Sequence, residues 1–367
     1  MGDRGWMGSE DGPPLRVLIV RVGAMGDVLH AMPAVAALRE LRPDWSIRWA
    51  IEPRWSPLLA AETCNQASSE PSRRDLRMPL VDGWLSVETR AWKKDPFSRA
   101  TAASVLKLRS GLRTSHFDVA VDMQGLIRSA VVGRMASAAH FVGRQEPREP
   151  IARLFYDQCV PIASPHVVEQ GCELLGAAVQ TELRPGRVTI PIDAAAEAWC
   201  DEVVSDEQPF VVMAPTAGWG AKEWPRERYG AVAAALGKAG YQVLINAASP
   251  GDGTAAAVVK ASNGAARAIP CTIPEMIALW RRASLAIAGD TGPLHLAAAL
   301  ERPLVGIYGP TDPVRTGPYG AGTVFPGRVL RHPSSVTDHA RKSAPEAGLL
   351  RISADEVAET ALEILGK

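Results

Sequence analysis

The chain lacks any apolar run approaching the roughly 18–20 residues that would span a bilayer, so nothing in it reads as a transmembrane helix. Cysteine is scarce: Cys64, Cys159, Cys172, Cys200 and Cys271 are scattered, odd in number and without CxxC spacing. That pattern argues against a disulfide framework or a zinc site, and a reducing cytoplasm fits it. Net charge is absent, with Lys+Arg and Asp+Glu at 40 each, so no overall field draws nucleic acid. Missing too are a full GxGxxG, a Walker loop, a GxSxG elbow and the Asp-x-Asp that would chelate a metal beside a diphosphate. Without GxGxxG, or an acidic residue ending the next strand, a nicotinamide-dependent oxidoreductase is disfavoured. Met1 to Pro14 has no apolar core, so it reads as a disordered leader rather than a signal peptide.

What is present suits two globular domains. The 367 residues are 47% hydrophobic, which is too long for one ordinary domain and sufficient for two packed cores. Charge is uneven along the chain. Between Arg73 and Arg153 there are 15 basic and 8 acidic residues, either a solvated surface or a docking face for an anionic acceptor or membrane.

Arg16–Val22 (RVLIVRV) is a β-branched run suited to a buried parallel strand. The loop Gly23-Ala-Met-Gly26-Asp27 follows, then helical periodicity over Val28–Leu41 closed by Pro43. Ser46–Ile51 and Phe117–Asp122 read as strands, Ala100–Arg113 and Leu126–Ser137 as helices. A second series begins near residue 187. Strands are expected at Phe210–Ala214, Gln242–Asn246, Leu285–Gly289 and Leu304–Ile307. Helices are expected at Arg226–Ala239, Ile273–Arg282, Gly292–Leu300 and Ala354–Leu365. Alternating strands and helices predict an α/β protein with parallel sheets. The boundary falls at Gln180–Arg187, which contains Pro185-Gly186, and two such halves leave a cleft, the usual place for a ligand. His332–Ala347 shows no pattern.

Three loops carry chemistry. Asp27 is either a helix N-cap or a general base at a strand's carboxyl end; His30 packs or caps. Asp290-Thr291-Gly292-Pro293-Leu294-His295 opens a helix after a strand. Its free N–H groups and the positive dipole end suit a diphosphate, with Pro293 fitting the first turn. Ala214 to Pro225 is a Gly-rich loop ending in Lys222, which is either solvated or offsets charge on a departing phosphate. Trp224-Pro225 packs the next helix start.

Five strings stand in order from about Arg16 to Tyr319: Met25-Gly-Asp-Val-Leu-His30 with Pro33, Asp122-Met-Gln-Gly-Leu126, Lys222-x-Trp224-Pro225, Asp290-Thr-Gly-x-x-His295 and Tyr308-Gly-Pro-Thr-Asp-Pro313. Together they resemble the lipopolysaccharide heptosyltransferases, the heptosyltransferase I branch more than heptosyltransferase II. The resemblance implies a GT-B fold, two Rossmann-like domains facing a central cleft: acceptor domain 15–183, donor domain 184–350, and a C-terminal helix, 351–367, crossing back to the first. It implies inverting, metal-independent transfer of heptose from ADP-heptose to a Kdo residue of the lipopolysaccharide inner core (Kdo-lipid A), with no cofactor. By this similarity Asp27 is the general base, and Thr216, Lys222, Asp290, Thr291, Gly292 and His295 hold the donor. Cys271 lies against adenosine. The family's ribose-binding acid is missing from Ala247-Ala-Ser-Pro-Gly-Asp252, where Asp252 is the substitute. Arg90, Lys93, Lys94 and Arg128 are acceptor candidates by charge. A monomer peripheral to the cytoplasmic face of the inner membrane is expected. The alternatives are another inverting nucleotide-sugar transferase of this family and a non-catalytic nucleotide-sugar binder.

Overall fold

The computed structural model describes residues 13–61, 75–204, 208–338 and 340–367. The expected leader, save Pro13 and Pro14, and Cys64 lie outside the described residues. The chain divides into two compact units, one ending at Pro191 and the other beginning at Ile192.

The first unit runs β1 (Arg16–Val20), α1 (Met25–Leu41), β2 (Ser46–Ile51), β3 (Gly83–Ser86), α2 (Thr89–Lys94), α3 (Arg99–Thr114), β4 (Val119–Asp122), α4 (Ile127–Met135), β5 (His140–Arg144), β6 (Gln158–Val160) and α5 (Val167–Val179). Its sheet has the order β3-β2-β1-β4-β5-β6, with every pairing parallel. The central strands are buried throughout Val17–Val20 and Val119–Asp122 because helices cover both faces, which is why their sequences are apolar up to the buried Asp122. Leu18, Val20, Ala50, Leu108, Leu112, Val132 and Phe141 form one core layer.

The second unit runs α6 (Ala194–Val203), β7 (Phe210–Ala214), α7 (Arg226–Lys238), β8 (Gln242–Ala247), α8 (Gly253–Ala261), β9 (Ala266–Pro270), α9 (Ile273–Arg282), β10 (Leu285–Gly289), α10 (Gly292–Ala299), β11 (Leu304–Tyr308), α11 (Pro313–Thr316), β12 (Gly327–Arg331) and α12 (Ala354–Ile364). Read from its other edge, this sheet has the order β9-β8-β7-β10-β11-β12, again all parallel. Both sheets therefore share the doubly wound order 3-2-1-4-5-6, in which the chain reverses direction between the first and fourth strands. A ligand belongs outside the carboxyl ends of those two strands.

The units divide a few residues later than the expected boundary. The chain from 181 to 191 lies along α1 rather than starting the second unit. The Gly186 N–H donates to the Pro33 carbonyl at 3.0 Å, and a Cβ on Gly186 would stand 2.6 Å from the Ala37 nitrogen. The last helix packs on the second unit: Val357, Ala358 and Ala361 are buried in the core of β7, β8, β10 and α7. The preceding turn is fastened there as well, the Trp224 indole N–H donating to the Ile352 carbonyl at 3.1 Å.

Candidate active site

In the first unit the residues at the reversal point meet. Arg21 follows β1 directly, is buried, and places its guanidinium 2.7 Å from an Asp27 carboxylate oxygen. It also donates to the Met123 carbonyl at the end of β4. Burial pushes the guanidinium below its ordinary value, and Asp27 opposes that shift. The guanidinium Nε is buried with no hydrogen-bond partner among the described residues. Asp27 is not an N-cap. It is the third residue of α1, where its carboxylate accepts from the Ala24 N–H at 3.2 Å, reaching back over the free end of the helix. It stays one-third exposed while Arg21 is 12% exposed.

The Asp-x-Gln-Gly-Leu string builds the wall beside it. Asp122 is buried and accepts from the Gln124 and Gly125 N–H groups, Ser129 Oγ and the Tyr156 hydroxyl, at 2.8–3.1 Å. Burial raises its carboxyl above the usual range against those four bonds. Gln124 accepts from the Val22 N–H at 2.8 Å, tying the two loops together. Gly125 has φ 71°, and a Cβ there would stand 3.1 Å from the Arg148 nitrogen; glycine is needed for both reasons. This close approach brings in Arg148, whose guanidinium lies 3.7 Å from the second Asp27 oxygen. Arg21 and Arg148 were not singled out in the sequence. The signal was there in Arg21, a charge inside an otherwise apolar strand run, which must find a partner when buried.

The acceptor candidates separate. Arg90 lies 3.7 Å from buried Glu52, and Glu52 in turn lies about as close to the Gly23 loop, 4.0 Å from where a Cβ on Gly23 would stand. Arg128 is exposed in the first turn of α4, next to the Asp122–Leu126 wall. Lys93 and Lys94 are exposed at the far end of α2. His30 stacks edge-on to His166, its ring centroid 6.2 Å away.

In the second unit the loops after β7 and β10 meet in the same relation. The Lys222 ammonium bonds an Asp290 carboxylate oxygen and, at 3.2 Å, the Asp290 carbonyl; it lies 4.3 Å from the centre of the Trp219 ring. The other Asp290 oxygen takes His295 Nε2 at 3.1 Å and the Tyr308 hydroxyl at 3.3 Å. Lys222 and Asp290 side chains are 10% and 8% exposed. Burial opposes ionisation of Asp290, but His295 and Lys222 outweigh it and hold its carboxyl well below the usual carboxylate range. A buried acid thus fixes one lysine and one histidine at the mouth of α10, whose N-cap, Thr291, makes no side-chain cap bond. Thr291 Oγ1 instead donates to the Gly289 carbonyl at 3.2 Å. Gly292 starts the helix and Thr216 is exposed just after β7.

The stretch without sequence pattern holds the lysine loop in place. The Ala221 N–H donates to the Lys342 carbonyl at 3.0 Å and the Glu346 N–H to the Ala221 carbonyl at 3.1 Å. A Cβ on Gly220 would stand 1.8 Å from the Ser343 oxygen. Trp219 and this strap are site features the sequence did not reveal, and Tyr308 stood there in a family string without a role.

Two donor candidates have structural work. Asp252 is the N-cap of α8, accepting from the Thr254, Ala255 and Ala248 N–H groups at 2.9–3.2 Å. Cys271, at the end of β9, lies 3.7 Å from Asn246 Oδ1, which also accepts from the Trp280 indole at 3.2 Å. Burial pushes the Cys271 thiol up to about 12. Among the described residues no three His, Cys, Asp or Glu side chains are grouped to hold a metal ion, and no helix is long and apolar enough to cross a membrane.

Known proteins share this architecture. Lipopolysaccharide heptosyltransferase 1 of Salmonella typhimurium is 29% identical over 310 residues, 83% of this chain and 92% of its own. That of Pseudomonas aeruginosa is 27% identical over 317 residues, 85% of this chain and 84% of its own. The structure of E. coli heptosyltransferase WaaC with ADP aligns at TM-score 0.75 and 26% identity, covering 95% of this chain and 100% of that one. The two units are the Rossmann-like halves of a GT-B fold. The family model for glycosyltransferase family 9 (heptosyltransferase) matches residues 105–334, more than half of the length, and the chain belongs to that family.

Proposed function

We propose that the protein transfers L-glycero-D-manno-heptose from ADP-heptose to a Kdo residue of Kdo-lipid A, with inversion and without a metal, at the cytoplasmic face of the inner membrane. The observation that carries the reading is Asp27, a partly exposed carboxylate oriented by Arg21 at the strand-order reversal of a family 9 chain. Asp27 takes the proton of the acceptor hydroxyl as its oxygen attacks the anomeric carbon from the face opposite the diphosphate. The anomeric C–O bond breaks and ADP departs with the electron pair, so it needs charge stabilisation rather than a proton. Lys222, the mouth of α10 at Thr291 and Gly292, and Thr216 supply that stabilisation as hydrogen-bond donors and positive charge. Asp290 and His295 position Lys222. Cys271 and Asn246 face the adenosine, and Asp252, while capping α8, stands on the loop that would meet the ribose. Arg90 and Arg128 meet acceptor charge.

The donor is supported by E. coli heptosyltransferase WaaC, solved with ADP and with ADP-2-deoxy-2-fluoro heptose. First-heptose addition is favoured over the second because identity is 29% to heptosyltransferase 1 and 24% to heptosyltransferase 2 of Salmonella typhimurium. A coupled ADP-release assay tests the reading. ADP should appear only when ADP-heptose and Kdo-lipid A are both present, and should persist under a chelator. Release that ignores the acceptor, or stops on chelation, counts against it.

A further inference from the structure

The hairpin of α2 and α3 carries features that the transfer chemistry does not use. From residue 89 to 114 there are seven basic residues, Arg90, Lys93, Lys94, Arg99, Lys107, Arg109 and Arg113, and a single acid, Asp95. Apart from Arg90, none of the seven has an ion-pair partner among the described residues. Phe97 at the turn is 98% exposed and Leu106 62% exposed. The inward side of α3 is the row containing Leu108 and Leu112, with Gly111 packed towards Leu85 of β3. Arg99, Leu106 and Arg113 recur at intervals of seven, so they share the opposite, outward face.

The hairpin is also held still. The Trp92 indole donates to Ser104 Oγ at 3.2 Å, and Ser104 donates to Glu88 at 3.1 Å. Thr101 Oγ1 donates to the Asp95 carbonyl at 2.7 Å, and Ser98 caps α3. Phe97 is thus presented outward by a fixed turn, with no neighbouring side chain over it. A large apolar residue in a ring of unpaired cations matches an interface that is negative at its surface and apolar beneath.

We propose that this hairpin docks the protein on an anionic lipid bilayer, with Phe97 and Leu106 entering the headgroup layer and Lys93, Lys94, Arg99, Lys107, Arg109 and Arg113 lying against lipid phosphates. The inference rests on the reading that the acceptor is carried by a lipid. It assigns Lys93 and Lys94 to the bilayer rather than to the acceptor sugar.

The test is co-sedimentation of the full chain with phosphatidylcholine vesicles, with and without phosphatidylglycerol. Binding is expected only with the anionic lipid, and it should weaken as salt rises. Phe97→Ser should lower the partition coefficient about tenfold, and Lys107→Glu with Arg109→Glu by more than tenfold. Arg184→Glu, a charge change away from the hairpin, should leave binding within about twofold. All these positions are exposed, so an unchanged melting temperature confirms folded variants. Turnover with a water-soluble Kdo acceptor separates the two readings: the variants keep wild-type rates if only docking is lost. Absence of that turnover in the wild type with vesicle binding intact sinks the transfer reading alone. Equal binding to neutral vesicles, undiminished binding by the charge-reversed variant, or self-association that Phe97→Ser abolishes without vesicles would each overturn the proposal.

Discussion

The two units have one strand order and opposite charge arrangements at the same topological point. In the first, a buried arginine after β1 holds out a carboxylate that remains one-third exposed. In the second, a buried carboxylate after β10 holds a lysine and a histidine, and lysine and carboxylate are each about one-tenth exposed or less. The scaffold fixes where two loops meet; which sign of charge is buried decides what the meeting point offers. An acid presented by arginine suits accepting a proton, and cations anchored by an acid suit receiving a phosphate.

The strongest way to break this comparison is to remove the presented group from each side. Asp27→Asn should lower kcat about 10²–10⁴-fold, the usual contribution of a general base, while the Kd for ADP stays within about twofold. Fluorescence or calorimetric titration of ADP alongside rate measurement checks both halves. Lys222→Ala should lower kcat/KM about 10²-fold and weaken ADP binding as well. It also strips a partner from buried Asp290, so unfolding free energy should fall by about 3 kcal/mol, read by denaturant titration.

A finer test uses acid. Asp290 has its folded-state carboxyl below the ordinary 3.8, so its contribution to stability is full above that value and is lost as pH falls through the folded value. Asp290→Asn should therefore flatten the acid limb of the stability curve below about pH 4, and stability measured across that range would show it. An unchanged acid limb would mean the pair does not stabilise the fold. The smallest effect is expected from Tyr308→Phe. Deleting the hydroxyl that bonds Asp290 at 3.3 Å and the Thr316 carbonyl at 3.0 Å should cost about 1 kcal/mol, with kcat little changed.

Legibility from sequence followed the same physics. The central strands β1, β7, β10 and β11 were readable because burial on both faces demands unbroken apolar runs. The outer strands Gly83–Ser86, His140–Arg144, Gln158–Val160, Ala266–Pro270 and Gly327–Arg331 were not, being short, partly exposed and interrupted by glycine or polar residues. Asp27 and Lys222 stood out as charged residues where a loop leads from strand to helix, but several of their neighbours came from distant sequence. Arg148 arrives through the contact at Gly125, and the 340–346 strap pairs by backbone N–H and C=O groups, which leave no side-chain signature. Asp252 carries a backbone task that the sequence did not reveal: it accepts three N–H groups as the cap of α8.

The central claim is that Asp27 drives heptose transfer to the lipid-linked acceptor. Its most direct test is mass spectrometry of Kdo-lipid A after incubation with ADP-heptose and either the wild type or Asp27→Asn. An acceptor heavier by one heptose is expected with the wild type, and an unmodified acceptor with the variant. Equal product from both proteins, or none from the wild type, would contradict it.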